Sequence, residues 1–393
     1  MVRDIGVAEE LAQDAFVAAL TQWPESGIPR NPGAWLMSIA KRRAIDRFRR
    51  EEVLERKHEL LAHDVDVSDA ADAAFDALDE DDIGDDLLRL IFIACHPILS
   101  MEARVALTLR LLGGLTTVEI ARAFLSSEPA VAQRIVRAKR TLSEAHIPFE
   151  VPGISERAKR LAAVLEVLYL IFNEGYAATA GDDVMRPALC EDALRLGRVL
   201  AQLTPDDPEV HALVALMEIQ ASRTKARVGP SGEPILLLEQ DRGKWDHLLI
   251  RRGLAALKRV EALGGGIGNY ALQAAIAACH ARARAPEETD WVRISALYDA
   301  LAQLVPSPVV QLNRAVAIGM AYGPAAGLEL VDALTSEPAL QTYHLLPSMR
   351  GDLLEKLGRF SEARDAYERA ASLAQNARDR TLLVERAARC ARA

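Results

Sequence analysis

Two groups of side chains in this chain have the types and spacing to hold a polyanion. Lys41, Arg42, Arg43, Arg47, Arg49 and Arg50 place six cations within ten residues, a short distance after Trp35. The second group is Gln133, Arg134, Arg137, Lys139 and Arg140, with Ala130 and Thr141 beside them. Its phase can be checked, because Val131, Ile135, Ala138 and Leu142 recur at helical intervals and must turn inward. The opposite face is then the Gln/Arg face. Guanidinium groups hold phosphate oxygens and can read guanine edges in a major groove. A solvated basic face on a structural helix is the alternative for either group, and Trp35 serves either as a base platform or as a core residue.

No comparable constellation points to catalysis. His211, His247 and His280 stand among Asp and Glu residues without metal-ligand spacing, and no nucleophile elbow is present. The Gly-rich LGGGIGN (263–269) follows no strand and reads as a helix-to-helix turn. Cys95, Cys190, Cys279 and Cys390 are too widely spaced for a zinc knuckle or a CxxC pair, and read as small buried hydrophobes. No enzymatic activity, cofactor or metal is expected.

The elements that must position these groups are helical throughout. Leu11, Ala15, Phe16, Ala19 and Leu20 make one helical stripe, and a second helix from Pro32 to about Arg56 carries the first basic run. Apolar helices follow at 87–96 and 100–112, parted at Pro97 and ended by Gly113-Gly114. Thr116 and Glu119 have capping-box spacing, so a helix opens there and ends near Phe124. A short turn leads to the helix from Pro129 to about Ala145. Two helices joined by such a turn, the second basic, describe a helix-turn-helix.

Beyond VPG (151–153) the chain reads as successive amphipathic helices. Breaks are expected at 173–183, 204–208, 227–234, 263–269, 284–289, 305–308, 322–324 and 336–338. GRFSEA (358–363), with Tyr367, Ala370 and Ala371, fits a tetratricopeptide pattern, and GPAAGL (323–328) stands 35 residues earlier. A solenoid of helical hairpins is expected, a surface that binds partners. Asn173, Glu174, Tyr176, Glu239, Asp241, Arg242, Trp245 and Asp246 lie at helix ends in this part, as an internal ion-pair network or a ligand pocket.

Charge separates the parts. The formal net charge of −9 hides blocks of +2 over 1–50, −13 over 51–88, +4 over 89–147 and −2 over 148–393. The longest nearly apolar run, 161–172, is too short for a membrane span, and the N-terminus has no apolar signal core. A cytoplasmic protein is expected, without a membrane partner.

WPESGIPRNPGAWLMSIAKRRAIDRFRR (23–50), followed by LTTVEIARAFLSSEPAVAQRIVRAKRTL (115–142), resembles a bacterial sigma factor of the extracytoplasmic-function type. LIFNEGY (170–176), LEQDRGKWD (238–246), TDW (289–291), SPVVQLNRAVA (307–317) and LLEKLGR (353–359) resemble the subgroup with a tetratricopeptide-like C-terminal extension. The resemblance implies an all-α chain: a region-2 domain over 1–56, an acidic linker over 57–88, a region-4 domain over 89–147 and a helical regulatory domain over 148–393. It implies binding to core RNA polymerase, at the β′ clamp and β flap, and to promoter DNA. An unidentified protein or ligand is expected at the solenoid.

The same resemblance assigns residues. Gln13, Asp14 and Phe16 would contact the polymerase clamp. Trp35, Lys41, Arg42, Arg43, Arg47, Arg49 and Arg50 would meet the −10 element, and Gln133, Arg134, Arg137, Lys139 and Arg140 the −35 element. The acidic linker would run through a basic RNA-exit path; a solvated tether is the alternative. Three positions depart from the family pattern. The chain opens inside the usual first region-2 helix, Arg42 stands where Asn is common, and Ala130 and Ala132 replace polar or cationic residues. A stand-alone helix-turn-helix regulator with a ligand-sensing tail is the competing reading.

Overall fold

A computed structural model describes residues 5–29, 31–33, 35–44, 88–124, 126–147, 152–177, 185–230 and 232–392. Among these the secondary structure is helical, apart from an isolated antiparallel bridge between Val228 and Pro234. Two compact units are formed. One comprises Met1–Thr117 with Glu128–Val164, the other Val118–Ser127 with Leu165–Ala393.

The first unit is built from α1 (Ile5–Ser26), α2 (35–44), α3 (88–94) and α4 (Met101–Leu111). Most of α5 (Thr117–Ala123) belongs to the second unit. The first unit resumes with α6 (Glu128–Glu144) and the opening turns of α7 (Ile154–Tyr176). Its core is apolar: Leu11, Ala15, Ala18 and Ala19 from α1, Ile91 and Phe92 from α3, and Val105, Leu107 and Leu109 from α4 are buried. Ser100 caps α4 by accepting a hydrogen bond from the Ala103 amide, and Gly113-Gly114 follow its end. Arg160 of α7 donates to the Phe92 carbonyl at 2.9 Å, tying the start of that helix to α3.

The apolar stripe of α1 is narrower than its sequence suggests. Phe16 is 57% and Leu20 78% exposed, whereas Leu11, Ala15, Ala18 and Ala19 are covered. Positions 11, 15, 18 and 19 fill the face turned toward the neighbouring helices. Phe16 and Leu20 lie a quarter-turn away and remain in solvent.

In the second unit each helix packs on its chain neighbour. The series runs α8 (Pro187–Leu203), α9 (Pro208–Ala221), α10 (His247–Ala262), α11 (Asn269–Arg282), α12 (Trp291–Leu304), α13 (Pro308–Tyr322), α14 (Pro324–Ala333), α15 (Leu345–Lys356), α16 (Phe360–Leu373) and α17 (Ala377–Cys390). This is the hairpin stacking expected of a solenoid. The 35-residue echo has a physical basis. Gly323 (φ +105°) and Gly358 (φ +74°) adopt a conformation that costs L side chains, and each lies just before the second helix of a hairpin. α9 is buried almost all round because α8, α10 and α11 cover it.

Acidic side chains start several of these helices, one of them, Asp207, in a predicted break. Asp207 caps α9, Asp246 caps α10 and Asp290 caps α12, each accepting from backbone amides of the first turn. α11 is capped across the fold. The carboxylate of Glu209 accepts the Tyr270 and Ala271 amides at 2.9 and 3.2 Å. All four cysteines are buried and free, as expected.

Candidate nucleic-acid interface

The polar face of α6 is set by the packing of its opposite side. Pro129 sits in its first turn, where a missing N–H costs nothing, and Glu128 complements the positive helix end. The buried residues of this helix are Val131, Ile135, Ala138 and Leu142, the row predicted from spacing. Gln133, Arg137 and Arg140 are therefore exposed, while Arg134 and Lys139 are half-buried along the flank. Arg140 lies 3.4 Å from Glu144 with both side chains about 70% exposed, a pair that water and salt weaken. Arg134 lies within electrostatic reach of the first turn of α4. The Glu102 carboxyl there is held below its ordinary range by its backbone amide and the Ser100 hydroxyl, with a contribution from Arg134.

α1 and α2 carry the other predicted residues. The rings of Trp23 and Trp35 meet at 5.4 Å with their planes tilted by 59°. Trp35 is thus half-buried against another indole rather than standing free as a platform. Arg43 and Asp14 form an ion pair at 3.1 Å, which joins a residue expected at DNA to one expected at polymerase. Gln13 and Phe16 are exposed on α1, Arg42 is exposed, and Lys41 is half-buried. Arg47, Arg49, Arg50 and the acidic linker lie outside the described residues.

Residues 1–53 match the family model of sigma-70 region 2, and residues 89–142 match that of sigma-70 region 4. The chain belongs to the sigma-70 family, in its extracytoplasmic-function group. Residues 160–261 match a family of unknown function (DUF6596). An uncharacterized protein of Rhizobium meliloti (strain 1021) is 45% identical over 377 residues, covering 95% of this chain and 88% of that one. A probable ECF RNA polymerase sigma factor, SigI of Mycobacterium tuberculosis, is 27% identical over 277 residues, covering 68% of this chain and 92% of SigI. An ECF RNA polymerase sigma factor, SigK of a Mycobacterium species (strain KMS), is 30% identical over 142 residues, 34% of this chain and 67% of SigK.

In this sigma factor, then, α1 and α2 fall within the region-2 match, and α4 to α6 within the region-4 match. The helical extension begins in α7, and α11 to α17 lie beyond the matched segments. No described helix is long and apolar enough to cross a membrane.

Six of the eight polar residues singled out near the helix ends of the second unit, all but Asn173 and Glu239, separate into two groups. Asp241 and Asp246 accept backbone amides, and Glu174 pairs with Arg186. Tyr176, Arg242 and Trp245 instead gather around two residues missed in the sequence, Arg223 and Arg227. Their available signal was two arginines four apart, directly after a helix rich in Ala, Leu and Val.

Proposed function

We propose that this sigma factor reads the −35 element with the outer face of α6 and the −10 element with the basic segment beginning in α2. The phase of α6 is the observation that carries the reading, because it commits the apolar row inward and leaves Gln133, Arg137 and Arg140 outward. Arg134 and Lys139 add charge along the flank. Lys41, Arg42, Arg43, Arg47, Arg49 and Arg50 track the separated strands. Trp35 supports them by packing on Trp23.

The polymerase clamp docks on α1. Phe16 and Leu20 recur one turn apart and are exposed, with Gln13 alongside, an apolar spot that suits a protein partner. The domains divide as region 2 over 1–56, linker over 57–88, region 4 over 89–147 and regulatory domain over 148–393. The acidic linker enters the basic RNA-exit path of polymerase, and the C-terminal solenoid sets transcriptional activity. The chain acts in the cytoplasm and catalyses no reaction of its own.

The test is capture on core RNA polymerase followed by run-off transcription from a cognate promoter. Changing Phe16 and Leu20 to Ser should leave the thermal midpoint unchanged, since both are exposed, but weaken polymerase capture. A chain that binds operator DNA without polymerase, and fails to start transcription with it, would refute the reading.

A further inference from the structure

The second unit gathers one buried and two half-buried cations in one place. Arg223 directly follows α9 and its Ser222 cap, and is only 8% exposed. Its guanidinium lies 5.7 Å from the centre of the Tyr176 ring and 5.9 Å from that of Trp245. Arg227 lies 3.7 Å over the other ring partner, Tyr176, and Arg242 lies 4.9 Å over Trp245. Two aromatic rings thus bring three guanidinium groups together from three places in the segment 222–246.

These cations lack the usual counter-charge among the described residues. Among the described residues no carboxylate forms an ion pair with Arg223, Arg227 or Arg242. Glu287 and Glu288 act on Arg242, and Asp379 on Arg227, only at longer range. Arg242 donates to the His280 and Ala283 carbonyls, both at 2.7 Å, and to the Thr289 hydroxyl at 3.2 Å. That fixes one guanidinium edge and leaves Nε buried without a partner. The Nε atoms of Arg223 and Arg227, the indole Nε1 of Trp245 and Nδ1 of His280 are likewise buried and unpartnered. Burial lowers the Arg223 pKa, and the charges of Arg223 and Arg242 add to burial in keeping His280 neutral.

Such an arrangement is costly by itself. A buried cation without an anion, and buried donors without acceptors, each oppose folding. Four of the five unsatisfied atoms are obligatory donors, on Arg and Trp, and the fifth can donate. An acceptor-only group with more than one negative charge supplies what such donors and cations lack. Arg227 and Arg242 are half-buried, so the group approaches from their side, with Arg223 as the floor.

We propose that Arg223, Arg227 and Arg242, with Trp245 beside them, bind a small phosphate-bearing ligand in the C-terminal unit. Three guanidinium groups without a paired carboxylate match a phosphate dianion better than a monocarboxylate. The site is built within that unit, so it stands or falls independently of the promoter assignments above.

The test uses the full chain, with inorganic phosphate as probe in Tris-chloride buffer. Thermal unfolding and titration calorimetry are run against phosphate, acetate and added potassium chloride at equal ionic strength. Phosphate should raise the unfolding midpoint saturably, and acetate and chloride should not. Arg223→Met should weaken phosphate binding at least ~10-fold, while its midpoint without phosphate equals or exceeds that of the wild type because an unpaired charge is gone. Arg227→Gln, at a half-buried position, should weaken binding similarly and serves where Arg223→Met does not fold. A phosphate response no larger than that of chloride, or a wild-type response in the folded variants, would overturn the site.

Discussion

Removing Arg137 and Arg140 together tests the recognition face by a number that can be set in advance. The two residues sit with Gln133 at positions i+4 and i+7 of one helix face, all three exposed. The pair between Arg140 and Glu144 is too exposed to hold the guanidinium back from DNA. Each phosphate contact contributes about −0.9 to the slope of log affinity against log salt. Raising salt fourfold, from about 50 to about 200 mM, therefore weakens binding about 3.5-fold per contact. With both arginines on phosphates, the wild type should lose about 12-fold more affinity over that interval than the double alanine variant. Fluorescence anisotropy of a promoter duplex, titrated with the holoenzyme at several salt concentrations, measures it. The thermal midpoint is the control, since neither side chain packs in the core. If one arginine reads a base edge instead, its alanine variant should lose about 1–3 kcal/mol and relax sequence preference at that position. An unchanged slope with unchanged sequence preference would take α6 out of the interface.

Gly351→Ala should destabilise the C-terminal unit by about 1–3 kcal/mol in urea unfolding, because its Cβ would stand 2.8 Å from the ring of the fully buried Tyr367. Stability should also fall as pH drops from 6.5 to about 4. Burial first, then Arg223 and Arg242, lowers the His280 pKa to about 4, so the unfolded chain takes up a proton that the folded chain refuses. The loss is about 3 kcal/mol at most, and His280→Gln should remove that part of a midpoint-against-pH curve. Deleting 345–393 removes α15 to α17 from the core they share with Leu312, Leu328 and Val331. Run-off transcription should then be lost or deregulated, and activity and regulation equal to those of the full chain would deny the tail a role.

What could be read from the sequence was whatever is fixed by neighbours along the chain. The inward row of α6 follows from 3.6-residue periodicity, which is why all four residues named for it are buried. The hairpin echo was legible because a turn of that kind needs glycine in a left-handed conformation at a set place, and Gly323 and Gly358 supply it. Periodicity could not tell how wide the covered stripe of α1 would be. That width depends on which helices come to lie over it, and they leave Phe16 and Leu20 in solvent. The cap on α11 was invisible for a related reason: its acceptor, Glu209, is 61 residues from the Tyr270 amide it binds.

The cationic cluster shows the same limit in a more instructive form. By sequence, acidic and basic residues near the helix ends of the C-terminal part look like two halves of one ion-pair network. In the fold they are separated by what each can accept or donate. Asp207, Asp246 and Asp290 satisfy helix amides, Asp241 satisfies the Gly243 amide, and Glu174 is taken by Arg186. Backbone amides at helix starts need acceptors, and carboxylates meet that need locally. Arginine has no such use at a helix start. Arg242 does find the carbonyls at the end of α11, but among the described residues Arg223 and Arg227 find aromatic faces and no carboxylate. The local demand for caps thus draws off the acids and leaves an excess of buried donors in one place. A site formed in this way has its polarity decided before any ligand arrives, and that polarity admits an anion.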